Sequence, residues 1–371
     1  MATKITKVSE KQIQKLIETS REVIRDSALE NGAIVATNTD QTYYPREAAN
    51  YRWVWPRDAS YICVAADLLK IPIQEPFFDW LYNRPKDFKK DKLLYANYST
   101  NGQFGSMGRV LQIDQAGSIL WAIHEHFKND LEKAKKFKGL IERLADGLTA
   151  NWNKTYFKPH TVDLWEEPHR QTSTTIENNF TYSLAACARG LLLAHEIIPN
   201  PLWKEEAMQM IEKINDAYSP AEKYFYRNKG KISDKNVDSS LLGLVWPFNI
   251  CESADERMIN TIAKMEEKIV INGGVHRFEQ DYFDGEGSAQ EGGGAWPLLN
   301  FWMAIYWSKR GDRKKALAYY NWVLERIEKF KGFIPEQIFE DFRVGVYPLV
   351  WSHAMFILAS HELGFLESTS K

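Results

Sequence analysis

Helical hydrophobic periodicity recurs along this chain from end to end, and it comes in two kinds. Ile13, Leu16, Ile17 and Ile24 form one apolar stripe; Phe137, Leu140, Ile141, Leu144 and Leu148 form another. Leu317, Tyr320, Leu324 and Ile327 form a third, with Asp312 placed as N-cap after Gly311. Such stripes belong to helices with one face on a core and the other in water. Residues 182–194, 298–307 and 349–358 are instead apolar nearly all round, so other helices must enclose them. The two kinds together predict about twelve helices, near 9–27, 58–69, 76–84, 116–128, 132–152, 180–196, 201–217, 239–248, 255–269, 297–309, 312–329 and 348–363. Six enclosed and six surface helices close a ring. Strand-type alternation is scarce, which leaves parallel-sheet folds without support. No low-complexity stretch or charge block divides residues 1–371, so a single domain is expected.

Charge narrows the partners. The 47 Lys and Arg nearly balance 49 Asp and Glu, for a formal net charge of −2, so nothing draws the chain to nucleic acid or an anionic membrane. No run approaches the roughly 18 apolar residues of a membrane span. Met1 to Arg25 carries charges every few residues and lacks the apolar core of a secretory signal, so a cytoplasmic location is expected. Cys63, Cys187 and Cys251 are odd in number and set in apolar or helical surroundings, which predicts buried free thiols in a reducing compartment. The eight histidines form no metal-type cluster and no phosphate-binding glycine loop follows a strand, so neither a metal nor a cofactor is expected. Oligomeric state leaves no trace at this level.

Five loop segments combine charges with aromatic rings: 51–60, 98–115, 163–179, 273–296 and 332–347. Loops held by a rigid scaffold are where chemistry is placed. In Asp163-Leu164-Trp165-Glu166-Glu167, two adjacent carboxylates cannot share one face, so they have different surroundings. An acidic pair in a loop is usually just solvated. Where a Trp and apolar neighbours desolvate one carboxyl, however, its pKa rises and it keeps a proton to donate. Glu336 follows Pro335, which fixes the backbone before it, although Pro-Glu also commonly opens a helix. Arg57-Asp58 sits between the aromatic run Trp53-Val54-Trp55-Pro56 and an apolar helix; the pair suits sugar hydroxyls, or Asp58 is merely a first-turn helix acid. Arg277 and Asp281 repeat that chemistry, with a plain ion pair as the alternative.

Taken in order, these segments resemble glycoside hydrolase family 15, which comprises glucoamylases, glucodextranases and related enzymes. Trp55-Pro56-Arg57-Asp58, Gln112-Ile113-Asp114-Gln115-Ala116-Gly117, Asp163 to Glu167, Gly274 to Tyr282 with Trp296-Pro297-Leu298, and Pro335-Glu336-Gln337 with Pro348 to Ala354 carry the resemblance, which spans roughly residues 30 to 365. It implies an all-α (α/α)6 toroid that releases β-glucose from the non-reducing ends of short α-glucosides, isomaltose or maltooligosaccharides, with inversion. By similarity Glu166 is the general acid and Glu336 the base. Arg57, Asp58, Trp55, Asp114, Trp165, Arg277, Asp281 and Trp296 would hold the sugar, and Glu167 would assist at the leaving group. The stretch after Glu167 departs from the family's pattern, which leaves linkage open. A trehalase, another inverting toroidal glycosidase or a non-catalytic carbohydrate-binding protein are the alternatives.

Overall fold

The computed structural model describes residues 8–166, 171–172, 175–231, 233–281, 293–343 and 345–366. Its helices run in chain order as α1 (Glu10–Ser27), α2 (Pro56–Leu68), α3 (Gln74–Asn83), α4 (Phe88–Asp91) and α5 (Asp114–Phe127). Then come α6 (Leu131–Ala134), α7 (Lys138–Asn151), α8 (Thr181–Ile197) and α9 (Pro201–Asp216). Last are α10 (Glu256–Lys268), α11 (Pro297–Lys309), α12 (Arg313–Leu324) and α13 (Val350–Glu362). Local chemistry accounts for several starts: Ser9 and Gln12 form a capping box on α1, Asn200 and Asp255 cap α9 and α10, and Pro occupies the first position of α2, α9 and α11. Asp312 caps α12 as expected, accepting from the Lys315 N–H at 2.9 Å.

The inner ring closes through neighbours in space. α2 packs on α5, α5 on α8, α8 on the 3₁₀ segment Ser239–Leu244, that segment on α11, α11 on α13, and α13 back on α2. Outside them stand α1 against α13, α3 against α2 and α5, α7 against α5 and α8, α9 against α8, α10 against the 3₁₀ segment, and α12 against α11. This is the (α/α)6 toroid. α5 and α8 meet backbone to backbone: a Cβ on Gly117 would lie 2.1 Å from the Ala186 carbonyl oxygen, so only glycine allows this approach.

Aromatic rings fill the hole of the toroid. Each inner segment supplies one: Tyr61 from α2, Trp121 from α5, Tyr182 from α8, Trp246 after the 3₁₀ turn, Trp302 from α11 and Trp351 from α13. Tyr61 sits among Trp121, Trp351, Trp246 and Trp302 at centroid distances of 5.0, 5.2, 6.0 and 6.0 Å, and its hydroxyl is 3.2 Å from that of Tyr182. These rings thus plug the interior of the helix ring with contacts to one another. Cys63, Cys187 and Cys251 are buried free thiols, as expected. Among the described residues no helix is long and apolar enough to cross a membrane.

Two details differ from the periodicity. The fourth inner position is not an α-helix over 239–248 but a six-residue 3₁₀ turn, because Gly243 and Pro247 remove helix propensity and a backbone donor. The stretch 132–152 breaks at a 3₁₀ turn, Lys135–Phe137, where Phe137 packs on Phe78 at 5.4 Å. Among the described residues, four antiparallel pairs of two- and three-residue strands also rivet the loops: β1 (Thr161–Val162) with β2 (Gln171–Thr172), β3 (Asn178–Phe180) with β6 (Asn228–Gly230), β4 (Tyr218–Ser219) with β5 (Tyr224–Phe225), and β7 (Val270–Ile271) with β8 (Gly274–Val275).

Candidate active site

A cavity of about 420 Å³ lies against this aromatic filling, with Trp351 common to both. Three inner helices bring their first residues to it: Trp55 and Asp58 at the start of α2, Trp296 just before α11, and Leu349 and Trp351 at the start of α13. Loops supply Trp165, Glu166, Arg277 and Glu336. Glu166 and Glu336, 170 positions apart in sequence, thus line one cavity.

Glu166 has a left-handed backbone, φ +64°, a conformation that a non-glycine residue keeps only when its surroundings impose it. The turn is held by the Glu166 N–H donating to the Asp163 carbonyl at 3.2 Å. Its carboxylate accepts from the Trp55 indole N–H at 2.7 Å and lies 3.6 Å from Arg57 Nη2. Burial raises its pKa above the ordinary glutamate value, while Arg57 and the Trp55 bond oppose the rise. The result is a desolvated carboxyl inclined to keep its proton.

Glu336 sits differently. Like Glu166 it is half-buried, but its partners are others: its backbone N–H donates to the Val346 carbonyl at 2.9 Å, and its side chain is hydrogen-bonded to Tyr51. The Glu336 charge, followed by burial, pushes the Tyr51 phenol well above its usual value, so Tyr51 stays protonated and donates. Tyr51 lines the cavity and was not singled out from sequence. It lies in the aromatic 51–60 segment, but nothing in the spacing ties it to a glutamate 285 positions away.

The other residues named from sequence divide into two layers. Trp55, Asp58, Trp165, Arg277 and Trp296 line the cavity with the two glutamates. Arg57, Asp114 and Asp281 do not; they are 4, 0 and 1 % exposed and stand one layer behind. Arg57 is a hub, with Nη1 3.0 Å from Gln112 Oε1 and 3.4 Å from Asp114, and Nε 3.5 Å from Asp58. Burial raises the pKa of Asp114 and takes that of Asp58 to about 7, with Arg57 opposing in both; the charges of Glu166 and Glu336 add to the rise at Asp58. Asp281 grips Arg277 through two bonds, 2.7 and 2.6 Å, which fixes the guanidinium 5.0 Å from the Trp296 ring. Glu167 lies outside the described residues.

Among the described residues, Asp58 Oδ1, 3.5 Å from Arg57 Nε, and the indole nitrogens of Trp296 and Trp351 are buried without a hydrogen-bond partner. The lining itself, carboxyls of Asp58, Glu166 and Glu336 among the rings of Trp55, Trp165, Trp296 and Trp351, matches the alternating hydroxyls and C–H faces of a sugar. Behind the Glu166 loop, Arg227 pairs with both Asp163 and Asp238, and Asp238 accepts from the Trp165 indole N–H at 3.1 Å. Sequence reasoning missed Arg227 and Asp238, since their contacts to Asp163 and Trp165 span more than 60 positions. Among the described residues no three His, Cys, Asp or Glu side chains gather as a metal-ion site.

Such a toroid, with an acidic, tryptophan-walled pocket at one mouth, defines a class of all-α, sugar-type sites. Residues 20–333 match the family described as glycosyl hydrolases family 15, and the chain belongs to that family. It is 29% identical over 350 residues to an uncharacterized glycosyl hydrolase of Methanocaldococcus jannaschii, covering 84% of this chain and 51% of that protein. It is 27% identical over 278 residues to the isomaltose glucohydrolase of Kribbella flavida, covering 70% of this chain and 66% of that one. The chain thus spans between about half and two thirds of these relatives' length. A solved structure of a wild-type glycosidase superposes with a TM-score of 0.78 at 23% identity, covering 96% of this chain and 98% of that one, a likeness of fold.

Proposed function

We propose that this chain is an exo-acting, inverting α-glucoside hydrolase. In a single displacement, Glu166 gives its proton to the glycosidic oxygen as the bond to the anomeric carbon breaks. Glu336 takes a proton from the water that attacks the opposite face, and Tyr51 orients Glu336 for that transfer. Asp58, Trp55, Arg277 and Trp296 hold the terminal glucose, Arg57 and Asp281 brace them from behind, and Glu167 serves the leaving group. The observation that carries this reading is the pairing of a desolvated carboxyl with a second, phenol-bonded carboxylate on the wall of one cavity. A pure binding protein has no need of that contrast.

Short substrates fit best. The isomaltose glucohydrolase relative supports isomaltose or maltooligosaccharides, trehalose being the alternative. The three buried thiols suit the cytoplasm, and residues 1–371 serve as one catalytic domain. A panel of isomaltose, maltose, maltotriose and trehalose decides the substrate by initial rates of glucose release. The highest kcat/KM is expected on isomaltose or the maltose series. A preference for trehalose would establish the alternative, and hydrolysis of none of them would overturn the reading.

A further inference from the structure

The loop that carries Glu336 is clamped from behind by α13 and α1. The Ile334 N–H donates to Nε2 of His353 at 3.0 Å, and Nδ1 of the same ring lies 2.8 Å from Ser20 Oγ. A ring nitrogen that accepts from a backbone N–H carries no proton, so the proton is on Nδ1 and is donated to Ser20. The Ser352 hydroxyl donates to the Pro335 carbonyl at 2.9 Å, and the Leu349 N–H to the Ile334 carbonyl at 3.0 Å. His353, Ser352 and Ser20 are fully buried, and burial takes the imidazole pKa down to about 3, so the ring is neutral across the physiological range. Each of the two residues before Glu336 is thus tied to the scaffold, and the ring of Pro335 passes that constraint to Glu336 with little freedom in φ.

Resting on the proposed role of Glu336 as base, we infer that His353, seconded by Ser352, is a positioning residue that sets where the Glu336 carboxylate stands relative to the attacking water. His353 is absent from the cavity lining and acts only through the backbone of the base loop. The relevant property of the imidazole is a proton acceptor at Nε2 in a site closed to water. Glutamine can offer a carbonyl oxygen in that place, whereas leucine fills a similar volume with no acceptor.

The test compares His353→Leu, His353→Gln and Ser352→Ala with wild type and with Glu336→Gln, using kcat and KM on the best glucoside and the inhibition constant of glucose. His353→Leu should lower kcat about 10²-fold, the scale expected for displacement of a reacting group by about 1 Å. Glucose inhibition should stay within about twofold, because the sugar-binding wall is intact, and His353→Gln should recover most of kcat. Ser352→Ala should lower kcat in the same direction and decides the matter if His353→Leu does not fold. Wild-type kcat in Ser352→Ala and His353→Leu would overturn the inference, as would a loss of glucose binding in step with kcat. If Glu336→Gln itself remains active, the base assignment fails and this role with it; if Glu336→Gln is inactive while the clamp variants work normally, only the positioning role fails.

Discussion

Replacing either Glu166 or Glu336 by Gln should lower kcat on an unactivated α-glucoside by about 10²–10⁴-fold, the usual worth of a general acid or base. Glutamine keeps the size of each side chain and part of its hydrogen bonding, so the inhibition constant of glucose should change little. The two variants should part company on α-glucosyl fluoride, whose leaving group needs no proton. There Glu166→Gln should recover much of its rate, whereas Glu336→Gln, which still lacks a base for the water, should not. Activity within tenfold of wild type in both variants on the unactivated substrate would refute the assignment.

The second large effect concerns stability. Arg57 is the shared cation of the buried Asp58 and Asp114 and the half-buried Glu166, and Arg57→Met would leave them with no positive partner at that point. Removing one member of a buried ion pair typically costs about 3–5 kcal/mol, so a loss of that size is expected at pH 7.5 in urea unfolding. The loss should depend on pH, and its sign follows from the shifts. Each of the three acids has a folded-state pKa above its unfolded value, so folding favours the protonated form. Their contribution to stability is fully present below the unfolded pKa and is lost as pH rises through the folded one, which for Asp58 is about 7. Without Arg57 those values climb further, and the destabilisation should be markedly smaller at pH 4.5 than at pH 7.5. Equal losses at both would show that Arg57 acts through packing alone.

The toroid was legible in the sequence because its helices come in two kinds. Stripes such as that of α10 or α1 face one way, whereas α8, α11 and α13 are apolar all round, and that contrast is the difference between an outer and an inner ring. The fourth inner position was misread because its apolar run contains Gly243 and Pro247, so hydrophobicity and backbone propensity disagreed and the backbone prevailed. The strand pairs escaped notice because two residues are too few to show a period of two. At the site, the order of the motifs found the segments but not their depth. Arg57 and Asp58 are adjacent in sequence, yet only Asp58 reaches the cavity wall; Asp114 braces Arg57 behind it, and Asp281 braces Arg277, which does reach it. Spacing reveals which face a residue takes on its own helix; it does not reveal which neighbour covers that face. The same limit hid Tyr51, Asp238, Arg227 and the role of His353, whose contacts join loops and helices far apart in the chain.

The central claim is that water attacks the anomeric carbon from the side opposite the departing oxygen, with Glu166 and Glu336 on the two faces. Inversion needs room for that water, roughly 6.5–9.5 Å between carboxyl groups, where a retaining pair would stand nearer about 5–5.5 Å. Proton NMR of the first minutes of hydrolysis reads the outcome directly from the anomeric signals, before mutarotation mixes them. The account predicts β-glucose first, with the α anomer growing in later; α-glucose as the initial product would contradict it.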